Sequence, residues 1–166
     1  MEYVLTATKT EARAGSYYDK IAGLNGYGRS LDEYFANNPL PISRGAKILD
    51  AGCGTGLLTL ALLRDIHFPV KITALDLSAT SIEAARRAVC DSPVRTRDAS
   101  FTQGNLLSLP FADETFDLVV TSGALEYVPL SDGMSELARV INPGGHLLHI
   151  PCRPSPASTF LEILFR

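Results

Sequence analysis

Cysteine is scarce in this chain and tryptophan is absent. The three cysteines, Cys53, Cys90 and Cys152, stand far apart and form no C-x-x-C pair. That argues against a disulfide framework or a zinc site and for a reducing compartment. Charge is nearly balanced, with 15 lysines and arginines against 18 acids and a net charge of −3. A nucleic-acid partner would need a basic face, and none is written here. The local excess at Arg86, Arg87, Arg95 and Arg97 is interrupted by acids and reads as a solvated helix and loop. Long apolar runs are missing as well. The longest, around residues 57–63, is far too short to span a bilayer. The opening "MEYVLTATKTEARAG" has no basic segment followed by an apolar one, so no signal peptide is read. These absences predict a cytoplasmic protein with neither membrane nor nucleic acid as partner.

What is present is an ordinary globular composition: 166 residues, 46% hydrophobic and 20% charged, enough for one domain with one core. Residues 1–43 read as an N-terminal helical cap segment. Ser30 followed by Glu33 forms a capping-box pattern for a short helix. Leu31, Tyr34 and Phe35 form its apolar face, and Asn37, Asn38, Pro39 and Pro41 end it. Residues 44–166 read as the main domain. Strand and helix alternate there: a strand at 48–49, a helix over 56–64, a strand over 71–75, and a helix capped by Ser78 with Ile82, Ala85 and Val89 on one face. Strands follow in "ASFTQGN" and "FDLVVTSG", then a helix over 134–141 closed by Asn142, Pro143, Gly144 and Gly145, and a fifth strand, "HLLHI". The final "STFLEILFR" reads as an apolar helix. Alternation of this kind predicts an α/β fold, a Rossmann-like, doubly wound and mostly parallel sheet of about five strands. Ligands bind such sheets outside the carboxyl ends of the strands, where the strand order reverses.

The stretch "KILDAGCGTGLLTLALL" carries the chemistry. Gly52, Gly54 and Gly56 follow the first strand, and Asp50 precedes them by two residues. Asp76 ends the second strand twenty residues past Gly56, where an acid accepts hydrogen bonds from both ribose hydroxyls. A dinucleotide fingerprint is G-x-G-x-x-G and receives a pyrophosphate. Here the third glycine comes one residue early, and a carboxylate at Asp50 repels phosphate and favours a cationic ligand. S-adenosylmethionine has an ammonium, a ribose and an adenine, and no phosphate.

"LDAGCGTG", "ALDLS", "GNLLSLPFADETFDLVV", "SGALEYVP" and "LARVINPGGHLLHI" together resemble the ordered motifs of the class I S-adenosylmethionine-dependent methyltransferases, in the small-molecule branch, over residues 45–150. The resemblance implies S-adenosylmethionine as cofactor, S-adenosylhomocysteine as product and a small-molecule acceptor. It implies that Asp50 reaches the methionine ammonium through water. The backbone of Ala51, Gly52, Cys53, Gly54 and Gly56 passes under the methionine and ribose. Asp76 binds the ribose hydroxyls, Leu77 packs on the adenine, and Asn105 and Leu106 meet the adenine, with the Asn105 side chain at its amino group. Ser122 lies beside the methionine tail through its backbone, and Tyr17 and Tyr18 match an aromatic pair that covers the cofactor. The family often has aspartate at the place of Asn105. It also finishes with two further strands that this sequence lacks: either the chain is a fragment, or the edge after strand five is filled by a homodimer mate, another partner chain or an exchanged segment.

Plainer readings stand beside these. Asp76 is also placed to cap the next helix, Asn105 to be a turn residue after Gly104, and Tyr17 and Tyr18 to be packing. Cys53 reads as a loop residue rather than a nucleophile. His67 reads as a loop residue, and His146 and His149 point to opposite faces of one strand, so no metal site is expected. Glu126 and Tyr127 are the pocket candidates beside the acceptor. The histidine that relatives often carry near there is absent, so no general base is named. Direct displacement from a sulfonium needs alignment first, and a base only when the acceptor must lose a proton early. The alternatives are an S-adenosylmethionine-binding protein without methyl transfer (a regulatory or partner subunit, or non-methyl chemistry) and, less favoured, a nicotinamide-dependent oxidoreductase.

Overall fold

The computed structural model describes residues 26–94 and 99–151. The elements run α1 (Tyr27–Asn37), β1 (Lys47–Ala51), α2 (Leu57–Asp65), β2 (Lys71–Asp76), α3 (Ala79–Cys90), β3 (Ala99–Gln103), β4 (Phe116–Ser122), a 3-10 turn (Leu125–Tyr127), α4 (Leu130–Val140) and β5 (Ile141–Ile150). The five strands form one sheet in the order β3-β2-β1-β4-β5, and every pairing is parallel. The order reverses between β1 and β4, as the strand–helix alternation predicts.

The reversal also decides where the helices go. Crossovers are right-handed, so α2 and α3, which carry the chain one way, share a face, while α4, which carries it back, covers the other. On the first face Ile48, Ile72, Leu118 and Val120 pack with Leu58, Leu62 and Val89. On the second, Leu49, Leu75 and Val119 pack with Leu137, Val140 and Leu109. Both faces of the central strands are covered, so β1, β2 and β4 are largely buried along their length rather than alternating. The α1 helix lies against α2: Leu31 and Phe35 join the first cluster, and Arg64 pairs with Asp32 at 2.8 Å.

Three local expectations change. The α1 helix begins at Tyr27, with Gly26 before it in a left-handed conformation. Ser30 therefore lies inside the first turn, its hydroxyl facing the Gly26 carbonyl, and the capping box does not form. Tyr34 is exposed while Leu31 and Phe35 are buried, because a two-residue stripe already covers the α2 contact. The fourth helix starts at Leu130, a turn earlier than the sequence reading, and ends at Val140. The Pro-Gly-Gly segment after it belongs to the start of β5: Ile141 pairs with Phe116 and His146 with Leu118, so four residues bulge opposite Asp117. By contrast, Ser78 caps α3 as expected, accepting from the Ser81 amide at 3.2 Å.

No helix among the described residues is long and apolar enough to cross a membrane. Cys53 is buried and Cys90 exposed. Cys152 and the final apolar segment lie outside the described residues.

Candidate functional site

The glycine loop joins β1 to α2 at the point where strand order reverses. Gly52 has φ 78°, and a Cβ there would stand 2.2 Å from the Ala124 Cβ. Only glycine lets the loop after β1 lie directly on the loop after β4. Gly56, at φ 91°, seats the start of α2 on α3, where a Cβ would meet Ala85 at 3.0 Å. The loop's amides are turned inward. Gly52 and Cys53 both donate to the Leu75 carbonyl, at 2.8 and 2.9 Å, and Gly56 donates to the Cys53 carbonyl at 2.9 Å. Gly54 donates to Asp76 Oδ2 at 2.9 Å. A phosphate-binding loop aims its amides at the ligand, and these four are aimed at protein oxygens instead.

Two acids flank the loop. Asp76 accepts from Gly54 with one oxygen and from the Ser78 amide, at 2.8 Å, with the other. Each oxygen keeps a second lone pair. Asp50 is fully buried beneath the loop. Its Oδ2 accepts from the Thr59 hydroxyl at 2.6 Å, and its Oδ1 has no hydrogen-bond partner. Burial pushes its pKa up to about 7, against the opposing pull of the Thr59 hydroxyl, and the nearby Asp76 carboxylate adds to the rise. A buried carboxylate oxygen with nothing to bind is costly. Thr121 Oγ1, near the end of β4, is the other buried polar atom without a partner among the described residues.

The remaining loops close the site. After β3, Asn105 Oδ1 accepts from the Leu107 amide at 2.9 Å, so the side chain holds its own turn. Leu106 is buried in the core beside Leu109 and Leu125, and its main chain is what it offers the mouth. Ala51 is likewise buried, and Cys53 packs with Ala74, Ile82 and Ala85 under the loop. The Leu77 carbonyl accepts from Gln103 Nε2 at 2.9 Å, tying the ends of β2 and β3 together. At the end of β4 the Ser122 hydroxyl is hydrogen-bonded to the Tyr27 hydroxyl. Glu126 and Tyr127 lie exposed just beyond, in the 3-10 turn. Exposed Leu130 and Met134 extend the apolar rim from Tyr127 along α4. The structure thus brings residues 50–56, 76–77, 105–106, 122 and 126–127 to one edge of the sheet. Tyr17 and Tyr18 lie outside the described residues.

Three contributors escape a reading of the sequence. Thr59 reaches Asp50 from the third residue of α2, and Tyr27 reaches Ser122 across 95 positions. Arg139 clasps the loop after β3. Its guanidinium donates to the Leu109 and Phe111 carbonyls and to Asp113, while its partner Glu136 accepts the Leu109 amide at 2.7 Å. The only sequence signal was chemical type: a threonine in an otherwise aliphatic turn, and an arginine beside buried leucines. No group of histidine, cysteine and acidic side chains among the described residues could hold a metal ion.

A family model described as a methyltransferase domain matches residues 48–145, which span the glycine loop, both acids and the loops after β3 and β4. The chain belongs to the class I S-adenosylmethionine-dependent methyltransferases. Within this family, a demethylmenaquinone methyltransferase from Lactiplantibacillus plantarum is 35% identical over 108 residues, covering 64% of this chain and 45% of the relative. A phthiotriol/phenolphthiotriol dimycocerosates methyltransferase from Mycobacterium ulcerans is 35% identical over 112 residues, covering 67% of this chain and 39% of the relative. The chain spans less than half the length of either. Among solved structures, a Methanococcus maripaludis protein assigned as an S-adenosyl-L-methionine-dependent methyltransferase superposes with TM-score 0.70 at 23% identity, over 91% of this chain and 67% of that one. This likeness is one of fold. The [4+2]-cyclase SpnF superposes with TM-score 0.62 at 26% identity, over 72% of this chain and 43% of that one.

Proposed function

We propose that this chain binds S-adenosylmethionine across the carboxyl ends of β1, β2 and β4 and takes part in methyl transfer to a small, largely apolar acceptor. The observation that carries the reading is the buried Asp50 carboxylate with its unpartnered Oδ1, at a loop whose amides face inward. That site favours a cation over a phosphate. The cofactor supplies a methyl group already activated on a sulfonium. Asp50 holds its ammonium end and Asp76 the two ribose hydroxyls, using the lone pairs left over from Gly54 and Ser78. The main chain at Asn105 and Leu106 borders the adenine, with Leu77 against its face. The Gly52–Ala124 contact lets the cofactor lie close over the backbone. Tyr27 and Ser122 stand beside its methionine tail. The protein's share of catalysis is then alignment of acceptor and methyl group, worth several kcal/mol.

The acceptor class is drawn from the rim. Tyr127, Leu130 and Met134 form an exposed apolar stripe beyond the cofactor edge, a surface suited to an apolar molecule. Relatives named for demethylmenaquinone and for dimycocerosate lipids support the same class. The outer edge of β5 is where a second copy or a partner chain would pair.

Calorimetric titration with S-adenosylmethionine, S-adenosylhomocysteine and NADH tests the cofactor. Binding of the first two and not the third is expected, and binding of NADH alone overturns the reading. A second reading, cofactor binding without methyl transfer, is favoured by the likeness to a cyclase. Formation of S-adenosylhomocysteine over a panel of quinol and lipid acceptors separates the two.

A further inference from the structure

The cofactor site as proposed leaves one question: what keeps a buried carboxylate both ionised and correctly turned? Asp50 sits at the end of β1 with its side chain on the α2 face of the sheet. Around it are Ile48 on its own strand, Ala74 on β2 and Val120 on β4, all apolar. The polar group that reaches it is Thr59, also fully buried, whose hydroxyl is 2.6 Å from Oδ2. The Thr59 main-chain amide adds to the stabilisation of the charge. Helix α2 begins at Leu57, so Asp50 receives the first turn of the helix much as a capping residue would. A cap alone would explain Oδ2. It leaves Oδ1 without a partner in a buried site, and native proteins rarely leave such an atom orphaned.

Building on the proposed cofactor site, we infer that Thr59 is a positioning residue for cofactor binding: it pins one oxygen of Asp50 so that the other is held toward the cationic amino-acid end of the ligand. Thr59 touches no part of the ligand. It acts by fixing the rotation of the carboxylate and by stabilising its charged form. The other charge facing Asp50 is Asp76 from β2, which works against ionisation. Thr59 is therefore the counterweight to both burial and Asp76, and nothing else among the described residues does that work.

The test compares two ligands, one with and one without the amino-acid tail whose ammonium Asp50 would recognise. S-adenosylhomocysteine carries the amino-acid tail, and 5′-methylthioadenosine has the same adenosine thioether without it. Affinities of the 166-residue chain are measured by calorimetry for the parent, Thr59→Val and Thr59→Ser, with melting temperatures recorded alongside. Thr59→Val should weaken S-adenosylhomocysteine ~10-fold or more while leaving 5′-methylthioadenosine within ~2-fold. Thr59→Ser, which keeps the hydroxyl, should bind as the parent does. The pH at which S-adenosylhomocysteine affinity begins to fall on acidification should move upward in Thr59→Val, because the carboxylate has lost the group that favours its charge. Equal loss for both ligands, or no loss for either, overturns the positioning role and leaves Thr59 a structural cap. Failure of the parent to bind either ligand overturns the cofactor reading itself.

Discussion

Asp50 and Asp117 stand on neighbouring strands at opposite ends of the sheet, and their surroundings differ in every respect. Asp117, near the start of β4, accepts from the Lys47 amide at 2.8 Å and from Asn142 Nδ2 at 2.7 Å. These bonds hold its carboxyl below the usual aspartate range, the Lys47 amide contributing most. It ties β1 to the bulged start of β5 and has both oxygens engaged. Asp50, near the end of β1, is wholly buried, has one oxygen engaged, and keeps its proton up to about 7. Stability alone accounts for the first arrangement. The second costs the folded protein free energy, which is the pattern expected of a group placed to meet a ligand.

Variants at the two ends should therefore separate binding from folding. The largest effect is expected from Gly52→Ala, which adds a Cβ 2.2 Å from the Ala124 Cβ at a positive φ. It should destabilise the chain by about 3 kcal/mol and abolish cofactor binding, as read by thermal melting and calorimetry. Asp76→Ala should weaken S-adenosylmethionine ~100-fold, the loss of two charge-assisted hydrogen bonds to the ribose. Its melting temperature should fall only modestly, and unchanged affinity would remove the ribose assignment.

Asp50→Asn should move stability and binding in opposite directions. The raised pKa means that the carboxylate costs stability fully above pH 7, and that the cost fades as pH falls toward 4. The variant should be the more stable by on the order of 4 kcal/mol at pH 8, converging with the parent below pH 4. It should also bind S-adenosylmethionine ~10-fold more weakly. A variant less stable at pH 8 would show that Asp50 is an ordinary cap. The smallest effect belongs to Asp117→Ala. It should cost about 1–2 kcal/mol and leave cofactor affinity within ~2-fold. Because the Asp117 pKa is lowered, that contribution is present above pH 4 and lost as pH falls further. Any larger change in binding would mean that the two ends are coupled.

Much of this was legible before the fold was described, because it is periodic or local. Apolar runs broken by Gly, Asp and Ser set the alternation of elements, and two acids at strand ends mark the edge where the glycine loop lies. The helix starts were read less well. Ser30 and Glu33 have the chemistry of a capping box, yet Gly26 begins the helix a turn earlier because Leu31 and Phe35 are drawn onto α2. The Pro-Gly-Gly segment reads as a stop and is held in β5 by Asn142 and Asp117, a contact between residues 25 apart. Thr59 and Tyr27 were invisible for the same reason: what each hydroxyl does depends on a partner that only the folded sheet brings near. Hydrophobic period carries no information about which buried polar groups meet.

The inward-turned amides of the glycine loop have a consequence for the choice among adenine nucleotides. A class I methyltransferase core shares its strand order with proteins that bind dinucleotides such as NAD. Discrimination by adenine and ribose is impossible, since every competitor carries both. With Gly52 and Cys53 donating to Leu75, and Gly54 to Asp76, the loop greets a phosphate with a buried acid and spent donors. On the proposed cofactor reading, selectivity rests on refusal: the wrong nucleotide is turned away by what the loop withholds.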